Sequence, residues 1–178
     1  MDASTRVLSK NKLSQMTTNN VAEVAGVSIG SLYDYFPNKN SIVVALMDNR
    51  MQAQLDGFFT LLDRETTIEG LVKAVMNMIE TDYLAKKDFM REVFMLAPEN
   101  GRMEALFLNR IKAQKRLAIF MTDKLGRDTV WAEKKSFVLV NAILGLIETY
   151  IILDEVPAST EELKKEMHLM MISTLATE

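Results

Sequence analysis

The chain has 178 residues, which suits one compact domain or a small domain joined to a larger one. Apolar residues make up 48% of the chain and charged residues 25%, a globular composition that excludes general disorder. The chain contains no cysteine, which excludes disulfides, thiolate metal sites and cysteine nucleophiles and leads us to expect a cytoplasmic protein. The net charge of −3 weighs only weakly against nucleic-acid binding, because the distribution of charge matters more than its sum.

The apolar residues recur with the period of a helix along the chain, and no segment alternates polar and apolar residues as a strand does. This pattern predicts an all-α fold of about nine helices. Their expected ranges are 2–11, 18–25, 28–34, 38–62, 66–86, 87–96, 100–125, 128–154 and 159–176. Proline marks three of the breaks, and Asn38 and Ser159, the latter with Glu162 in a capping box, are expected to cap the helices that follow.

Residues 17–42 predict two short helices joined by a tight turn. Thr17 and Ser28 can each cap a helix, and Gly26 can take a positive φ in the turn between them. The residues expected to be buried are Val21, Ala22, Val24, Val27, Leu32 and Phe36. Two short helices around a three-residue turn with glycine form a helix-turn-helix.

The second helix of such a motif lies in the major groove of DNA. Its exposed face here is expected to carry Ile29, Gly30, Ser31, Tyr33, Asp34 and Tyr35. Gly30 removes bulk where the backbone nears the groove, Ser31 can hydrogen-bond a base, and Ile29 can pack on a thymine methyl. Residues 1–50 contain five basic and four acidic side chains, so this part carries +1 and the remainder −4. That asymmetry has the sign expected for a DNA-binding head on an acidic body.

One set of residues in this segment resembles the signature of the TetR family, the tetracycline-repressor-like regulators. These residues are Ala25, Gly26, Val27, Ser28, Gly30, Leu32, Tyr33 and Phe36, followed by Pro37 and Lys39. Residues 1–8 resemble the end of that family's first helix, so the resemblance extends from residue 1 to about residue 47. It departs from the family at three places: the chain begins within the first helix, Lys12 replaces a common glycine, and Ile29 replaces a frequent basic residue.

The resemblance implies a homodimer that binds a palindromic double-stranded DNA operator and releases it when a small molecule enters the C-terminal body. By motif position, phosphate would be contacted by Thr17, Ser28, Tyr33 and Lys39. Bases would be approached by Ile29, Gly30, Ser31 and Tyr35, and Thr18 and Asn19 could also reach DNA. The expected division is a DNA-binding domain at 1–47 and a ligand-binding and dimerisation domain at 48–178.

The body itself has no specific sequence resemblance, so its roles are expectations drawn from the family. The last two helices would form the dimer interface, although the apolar helix at 128–154 could instead be the core of a monomer. A pocket for a small apolar or amphipathic ligand would lie among the middle helices. Its expected walls are Met76, Ile79, Tyr83, Phe94, Met103, Phe107, Phe120 and Trp131. The acidic residues that could meet a cationic ligand there, if buried, are Glu80, Asp82, Glu92 and Glu148.

Catalysis, a cofactor, a metal site and a membrane partner are not expected. The lone histidine, His168, is surrounded by no metal-binding pattern, and neither a glycine-rich phosphate loop nor a G-x-S-x-G motif occurs. The apolar stretch at 137–153 is interrupted by Asn141, Glu148 and Thr149 and is expected to be a core or interface helix. The sequence therefore favours a ligand-responsive repressor. The alternative is a helical adaptor that keeps the motif only as a scaffold.

Overall fold

The computed structural model describes residues 17–176, which form eight α-helices and one 3-10 turn with no strand among them. In chain order the helices are α1 (Thr18–Ala25), α2 (Ile29–Tyr35), α3 (Lys39–Arg64), α4 (Ile68–Asp82), α5 (Lys87–Leu96), α6 (Met103–Leu125), α7 (Thr129–Ile152) and α8 (Thr160–Ala176). The 3-10 turn, Leu84–Lys86, lies between α4 and α5.

The all-helical prediction is confirmed within this part of the chain, and seven of the predicted helices have a counterpart with both ends within three residues of the expected ones. The predicted helix at 2–11 lies outside the described residues, so neither the count of nine nor a three-helix head is matched. The predicted helix at 66–86 is wrong as one element: the α-helix ends at Asp82 and the chain tightens into the 3-10 turn.

Local hydrogen bonds explain where several helices begin and end. At the end of α1, Gly26 takes φ 69° and donates its N–H to the carbonyl of Glu23, while the next N–H, from Val27, bonds to Ala22. This pair of bonds is a Schellman closure, which favours glycine because a Cβ is strained at positive φ. Asn38 caps α3 in a reciprocal box with Ser41, in which each side chain accepts the other residue's backbone N–H.

The other predicted capping box also forms. Glu162 accepts the backbone N–H of Ser159 at 2.8 Å, and Ser159 accepts the N–H of Glu162 at 3.3 Å. These caps satisfy backbone donors that have no partner within the helix, so short polar signals in the sequence define the start of α8 as well as that of α3.

Two buried clusters organise the described chain. The smaller one, here called the head cluster, consists of Val21, Ala22, Leu32, Ile42, Val43, Leu46, Met47, Val93 and Ala97. Two residues expected to be buried in this region are not: Val24 is 43% exposed and Val27 is 45% exposed. The two-turn α1 buries only Val21 and Ala22, and Val27 lies in the open turn after Gly26. Phe36 is half-buried against the cluster.

The larger cluster forms the body and draws its residues from α3 to α8. Helices α6 and α7 pack along each other, with α3 against α6 and α8 against α4 and α7. By length and composition α7 is the one described helix that could cross a membrane, with a third of its most apolar window buried. Its buried residues, including Leu139, Ile143, Ile147 and Ile151, belong to the body cluster. The packing therefore accounts for one apolar face of α7 as protein core.

Helix α3 joins the two clusters, because its first turns lie in the head cluster and its later turns in the body cluster. Helix α5 is the second connection: Val93 and Ala97 belong to the head cluster, although α5 packs on α7 in the body. An ion pair between Arg102 Nε and Asp48 Oδ1, 3.0 Å long, also joins α3 to the residue before α6. Head and body are thus linked through buried apolar packing.

Candidate nucleic-acid interface and interior cavity

The predicted DNA-contacting residues lie together at the start of α1, along α2 and at the start of α3. Eight of the ten are exposed: Thr17, Asn19, Ser28, Ile29, Gly30, Ser31, Tyr33 and Tyr35. Thr18 and Lys39 are half-buried. Tyr35 is 82% exposed, whereas Leu32 on the opposite face of α2 is only 6% exposed. Helix α2 therefore holds one apolar side chain in the head cluster and presents the rest of its surface outward.

The first turn of α2 is fixed by its cap. Ser28 Oγ accepts the backbone N–H of Ser31 at 3.0 Å and lies 2.9 Å from Ser31 Oγ. The two hydroxyls share one hydrogen bond, and both residues remain exposed. Because hydroxyl groups both donate and accept, this pair can still offer lone pairs or a proton to an external partner. A Cβ at Gly30 would meet only Ser28 Oγ, at 3.7 Å, so the surface beside the cap is open.

A polar contact ties α2 to the start of α1. The hydroxyls of Tyr33 and Thr18 lie 3.3 Å apart, and Thr17 caps α1 by accepting the N–H of Asn20 at 3.2 Å. Lys39 occupies the first position of α3, directly after the Asn38 cap. The amide-rich starts of all three helices therefore lie near polar side chains, which is an arrangement suited to phosphate oxygens.

The body contains a partly open cavity of about 150 Å³ between α3, α4, α5, α6, α7 and α8. Most of its wall is apolar, with Met51, Leu55, Phe58, Leu71 and Leu117 among the lining residues. An apolar cavity of roughly 150 Å³ in a protein core can hold a benzene-sized molecule. Of the predicted wall residues, Ile79, Tyr83 and Phe94 line this cavity.

The other five predicted wall residues do not line it. Met103 and Phe107 are 40% and 52% exposed on the outer face of α6, because α6 turns its Leu106, Asn109 and Arg110 side inward instead. The remaining three pack elsewhere on the body cluster: Phe120, Met76 and Trp131. Apolar character identified these residues, but the helix face that each occupies takes them away from the cavity.

Most polar residues at the cavity were not predicted from the sequence. The exceptions are Tyr83, an expected wall residue, and Glu148, which was considered as a partner for a cationic ligand. Arg50, Gln54, Asn109 and Arg110 also line it. The single available signal was position: Arg50 and Gln54 interrupt an apolar helical stripe that includes Met47, Met51 and Leu55. Polar residues at core-facing positions of a helix indicate a site where they have polar partners, because burying them without partners is unfavourable.

The acidic side chains near the cavity are held in ion pairs. Arg50 Nη2 donates to both Asp82 Oδ1 and the Asp82 carbonyl, each at 2.8 Å, and Lys86 Nζ lies 3.1 Å from the same carboxylate. Burial acts to raise the pKa of Asp82, but the hydrogen bonds from Arg50 and Lys86 outweigh it and hold that pKa below 3.8. Arg110 pairs with Glu148. Burial raises the pKa of Tyr83 to about 12, so this phenol stays neutral at pH 7.

Exposed apolar residues lie on both of the last two helices, several on α7 and one on α8. Val130, Phe137 and Val138 are 56%, 60% and 59% exposed on α7, and Leu169 is 50% exposed on α8. A Cβ built at Gly145 would meet nothing within 4 Å, so a neighbouring helix could approach α7 closely at that point. These exposed apolar residues are here called the α7–α8 face.

Comparison with known proteins finds a family match for the N-terminal part of the chain. The family model described as bacterial regulatory proteins, tetR family, matches residues 1–46. Two curated relatives are nucleoid occlusion factors SlmA. The one from Actinobacillus pleuropneumoniae serotype 5b is 36% identical over 69 residues, which are 38% of this chain and 34% of the relative. The one from Glaesserella parasuis serovar 5 is 32% identical over 71 residues, 40% of this chain and 35% of the relative. The chain thus aligns with about a third of each relative's length.

Solved structures share the fold over nearly the whole chain. A transcriptional regulator from Cytophaga hutchinsonii superposes with a TM-score of 0.78 at 18% identity, covering 98% of this chain and 93% of the other. The TetR family repressor AlkX from a Dietzia species gives 0.62 at 18% identity, covering 98% and 92%. The TetR family regulator PfmR from Thermus thermophilus gives 0.56 at 16% identity, covering 97% and 95%. The resemblance found in the sequence is confirmed for residues 1–46, which match the tetR family model, and the described chain shares its fold with these solved structures.

Proposed function

We propose that this regulator binds a palindromic DNA operator as a homodimer, represses transcription, and is released by a small molecule that enters the body. The observation that carries the proposal is the exposed, capped start of α2 together with the capped starts of α1 and α3. A helix in a major groove contacts base edges with its N-terminal residues while neighbouring elements hold phosphate. Ser31, Gly30 and Ile29 are assigned to bases under this proposal, with Tyr35 beside them.

Phosphate contacts are assigned to Thr17, Ser28, Tyr33 and Lys39, with Thr18 and Asn19 within reach of the backbone. The hydrogen bond between Tyr33 and Thr18 supports this assignment, because it holds the phenol at the junction of α1 and α2. We assign residues 1–47 to DNA binding and 48–178 to ligand binding and dimerisation. The boundary lies within α3, so the helix that leaves the head also forms a wall of the cavity.

The packing offers two routes by which the cavity could influence the head. Along α3, Met47 is buried in the head cluster and Met51, one turn later, lines the cavity. On α5, Val93 belongs to the head cluster and also lines the cavity. A ligand that binds one arrangement of these helices more tightly than another shifts the population of head positions by that difference in affinity.

DNA binding is tested with purified full-length protein and the DNA that flanks its own gene, by fluorescence anisotropy across a salt series. We expect tight binding that weakens as salt rises, because phosphate contacts release counterions. Lys39→Ala should weaken binding to every sequence and lower the salt slope by about one. Lys115→Ala is the matched control, since this exposed lysine lies on α6 in the body and should leave both quantities unchanged.

A second pair of variants separates base reading from backbone contact. Tyr33→Phe should weaken binding to all sequences equally, whereas Ser31→Ala should change the preferred sequence. If the wild-type protein binds DNA only weakly and without sequence preference, the repressor proposal fails and the adaptor alternative takes its place. If it binds tightly but these variants leave binding unchanged, the assigned orientation of α2 is wrong.

We place the homodimer contact on the α7–α8 face, the most apolar exposed surface of the last two helices. Phe137→Glu puts a charge in the middle of that face and should convert a dimer into monomers at micromolar concentration, measured by analytical ultracentrifugation. Phe107→Glu is the control, because Phe107 is similarly exposed, 52% against 60%, but lies on α6. Dissociation by Phe107→Glu alone would move the interface to α6. A wild-type monomer would remove the homodimer from the proposal.

A further inference from the structure

The polar residues of the cavity are dominated by hydrogen-bond donors. Arg50 and Gln54 both line the cavity and are one helical turn apart on α3, so their side chains lie on the same face. Gln54 is only 8% exposed, which is unusual for an amide in a largely apolar wall. This pair places one positive charge and one buried amide side by side at the edge of an apolar space.

Neither donor group is fully used within residues 17–176. Arg50 gives its Nη2 to Asp82, but its Nε is buried and has no hydrogen-bond partner there. The described side-chain hydrogen bond of Gln54 runs from Nε2 to the thioether sulfur of Met90 at 4.0 Å, and a thioether is a weak acceptor. Both side chains line the cavity, and the Gln54 amide is paired there only with a weak acceptor, so it can hydrogen-bond a stronger one.

The four acidic residues considered for a cationic ligand are either held in ion pairs or lie away from the cavity wall. Glu148 lines the cavity but is paired with Arg110, and the Asp82 carboxylate is held by Arg50 and Lys86. Glu80 pairs with Lys164, and Glu92 does not line the cavity. The Arg110–Glu148 pair is neutral, whereas Arg50 and Lys86 share the single carboxylate of Asp82, so that cluster keeps a net positive charge beside the cavity.

We propose that the effector is a small amphipathic carboxylate whose anionic group is held by Arg50 and Gln54 and whose apolar part fills the space toward Phe58. The inference rests on the proposed ligand response and names its chemical class. The Arg50 guanidinium and the Gln54 amide supply the donors, and hydrogen bonds from a charged donor to a carboxylate are the stronger kind. The ion pair to Asp82 need not break, because it uses Nη2.

The size of the cavity sets the scale of the apolar part. A volume of about 150 Å³ suits one aromatic ring, and the wall around it is provided by residues such as Phe58, Leu71, Val75 and Ile143. Tyr83 also lines the cavity and remains neutral at pH 7, so it adds no negative charge that would oppose an anion.

The test uses three probes of similar size, namely benzoate, benzyl alcohol and benzylamine, titrated into the full-length protein without DNA by calorimetry at pH 7. We expect benzoate to bind about tenfold more tightly than the alcohol, the amount that one charge-assisted hydrogen bond supplies. Benzylamine should bind more weakly than either. Equal or tighter binding of the alcohol or the amine, or no measurable binding of benzoate, would overturn the inference.

Two variants localise the effect. Arg50→Met keeps the apolar stem of the side chain and should abolish the preference for benzoate over benzyl alcohol, while Arg50→Lys keeps the charge and should retain part of it. Because Arg50→Met also removes the contact to Asp82, Gln54→Leu provides a second variant that leaves that ion pair in place and should reduce benzoate affinity severalfold. Retention of the full benzoate preference in both Arg50→Met and Gln54→Leu would contradict the assigned site.

The outcome is separable from that of the proposed function, since the titration contains no DNA. If benzoate binds as expected but leaves operator affinity unchanged, the ligand class stands and the ligand-released repressor fails. If a neutral probe binds preferentially and releases DNA, the repressor stands and the carboxylate inference fails.

Discussion

The head and the body of this protein are stabilised in different ways. The head has a small buried cluster, and hydrogen-bonded caps at Thr17, Ser28 and Asn38 define the starts of its helices. The body has a cluster more than twice as large, built from six helices whose residues are far apart in sequence. Seven of the nine head-cluster residues lie between residues 21 and 47, so the head depends mainly on local structure, while the body depends on long-range packing and has several polar groups around its cavity. This contrast is the one expected if the proposed function is right, with DNA bound by the head and a ligand bound by the body.

The largest change in the free energy of unfolding is expected when a side chain is truncated in the core of the body. Ile147 is fully buried in the C-terminal half of α7, so Ile147→Ala leaves a cavity and should lower the free energy of unfolding by about 2–5 kcal/mol. Urea unfolding at one fixed protein concentration measures it. The control is Leu108→Ala on α6, where the side chain is 48% exposed and the expected change is within about 0.5 kcal/mol. Similar losses for both variants would show that α7 is not the centre of the body core.

A pair of glycine substitutions tests the local chemistry of the head. Gly26 has φ 69°, and Gly26→Ala should lower the free energy of unfolding by about 1–2 kcal/mol, since a Cβ is strained in that conformation. Gly57 lies inside α3, where an added Cβ meets nothing within 4 Å, so Gly57→Ala should raise it by about 0.5–1 kcal/mol. Urea unfolding again provides the values. The two variants should change the free energy of unfolding in opposite directions. A decrease for both would mean that α3 is not a regular helix at Gly57.

The smallest effect concerns the ion pair at the edge of the cavity. The pKa of Asp82 is lower in the folded protein than its ordinary value of 3.8, so its contribution to stability is present above about pH 4 and is lost as pH falls through the folded pKa. The wild type should therefore exceed Asp82→Asn in stability near pH 6, by about 1 kcal/mol or less because the pair is partly exposed. Thermal unfolding between pH 6 and pH 3 should show this advantage shrinking. A constant advantage would contradict the assigned pKa direction.

The same contrast explains what the sequence could predict. The caps at Ser28, Asn38 and Ser159 and the positive φ of Gly26 were predictable because each depends on residues at most a few positions away. The walls of the cavity were predicted less well, since they depend on how α6 is rotated about its axis. Phe107 and Leu106 are neighbours in sequence, but Leu106 lines the cavity and Phe107 faces outward. Val24 and Val27 were expected in the core because they are apolar. Both are exposed because the small head cluster does not extend to them.

Arg50 and Gln54 show the same limit from the opposite direction. A prediction based on apolar residues misses them because they are polar. Their helical register with Met47 and Met51 nevertheless puts them on the buried side of α3. Register along a helix was therefore more informative for this cavity than residue type.

The central claim is that two heads of one dimer contact adjacent major grooves, and hydroxyl-radical footprinting on the DNA flanking the gene tests it most directly. The account predicts two symmetric protected patches whose centres are roughly 10–10.5 base pairs apart, or a multiple of that spacing. The patches should disappear together in Phe137→Glu, which should also be monomeric. A single patch that survives in Phe137→Glu, or protection that follows no sequence, would contradict the account.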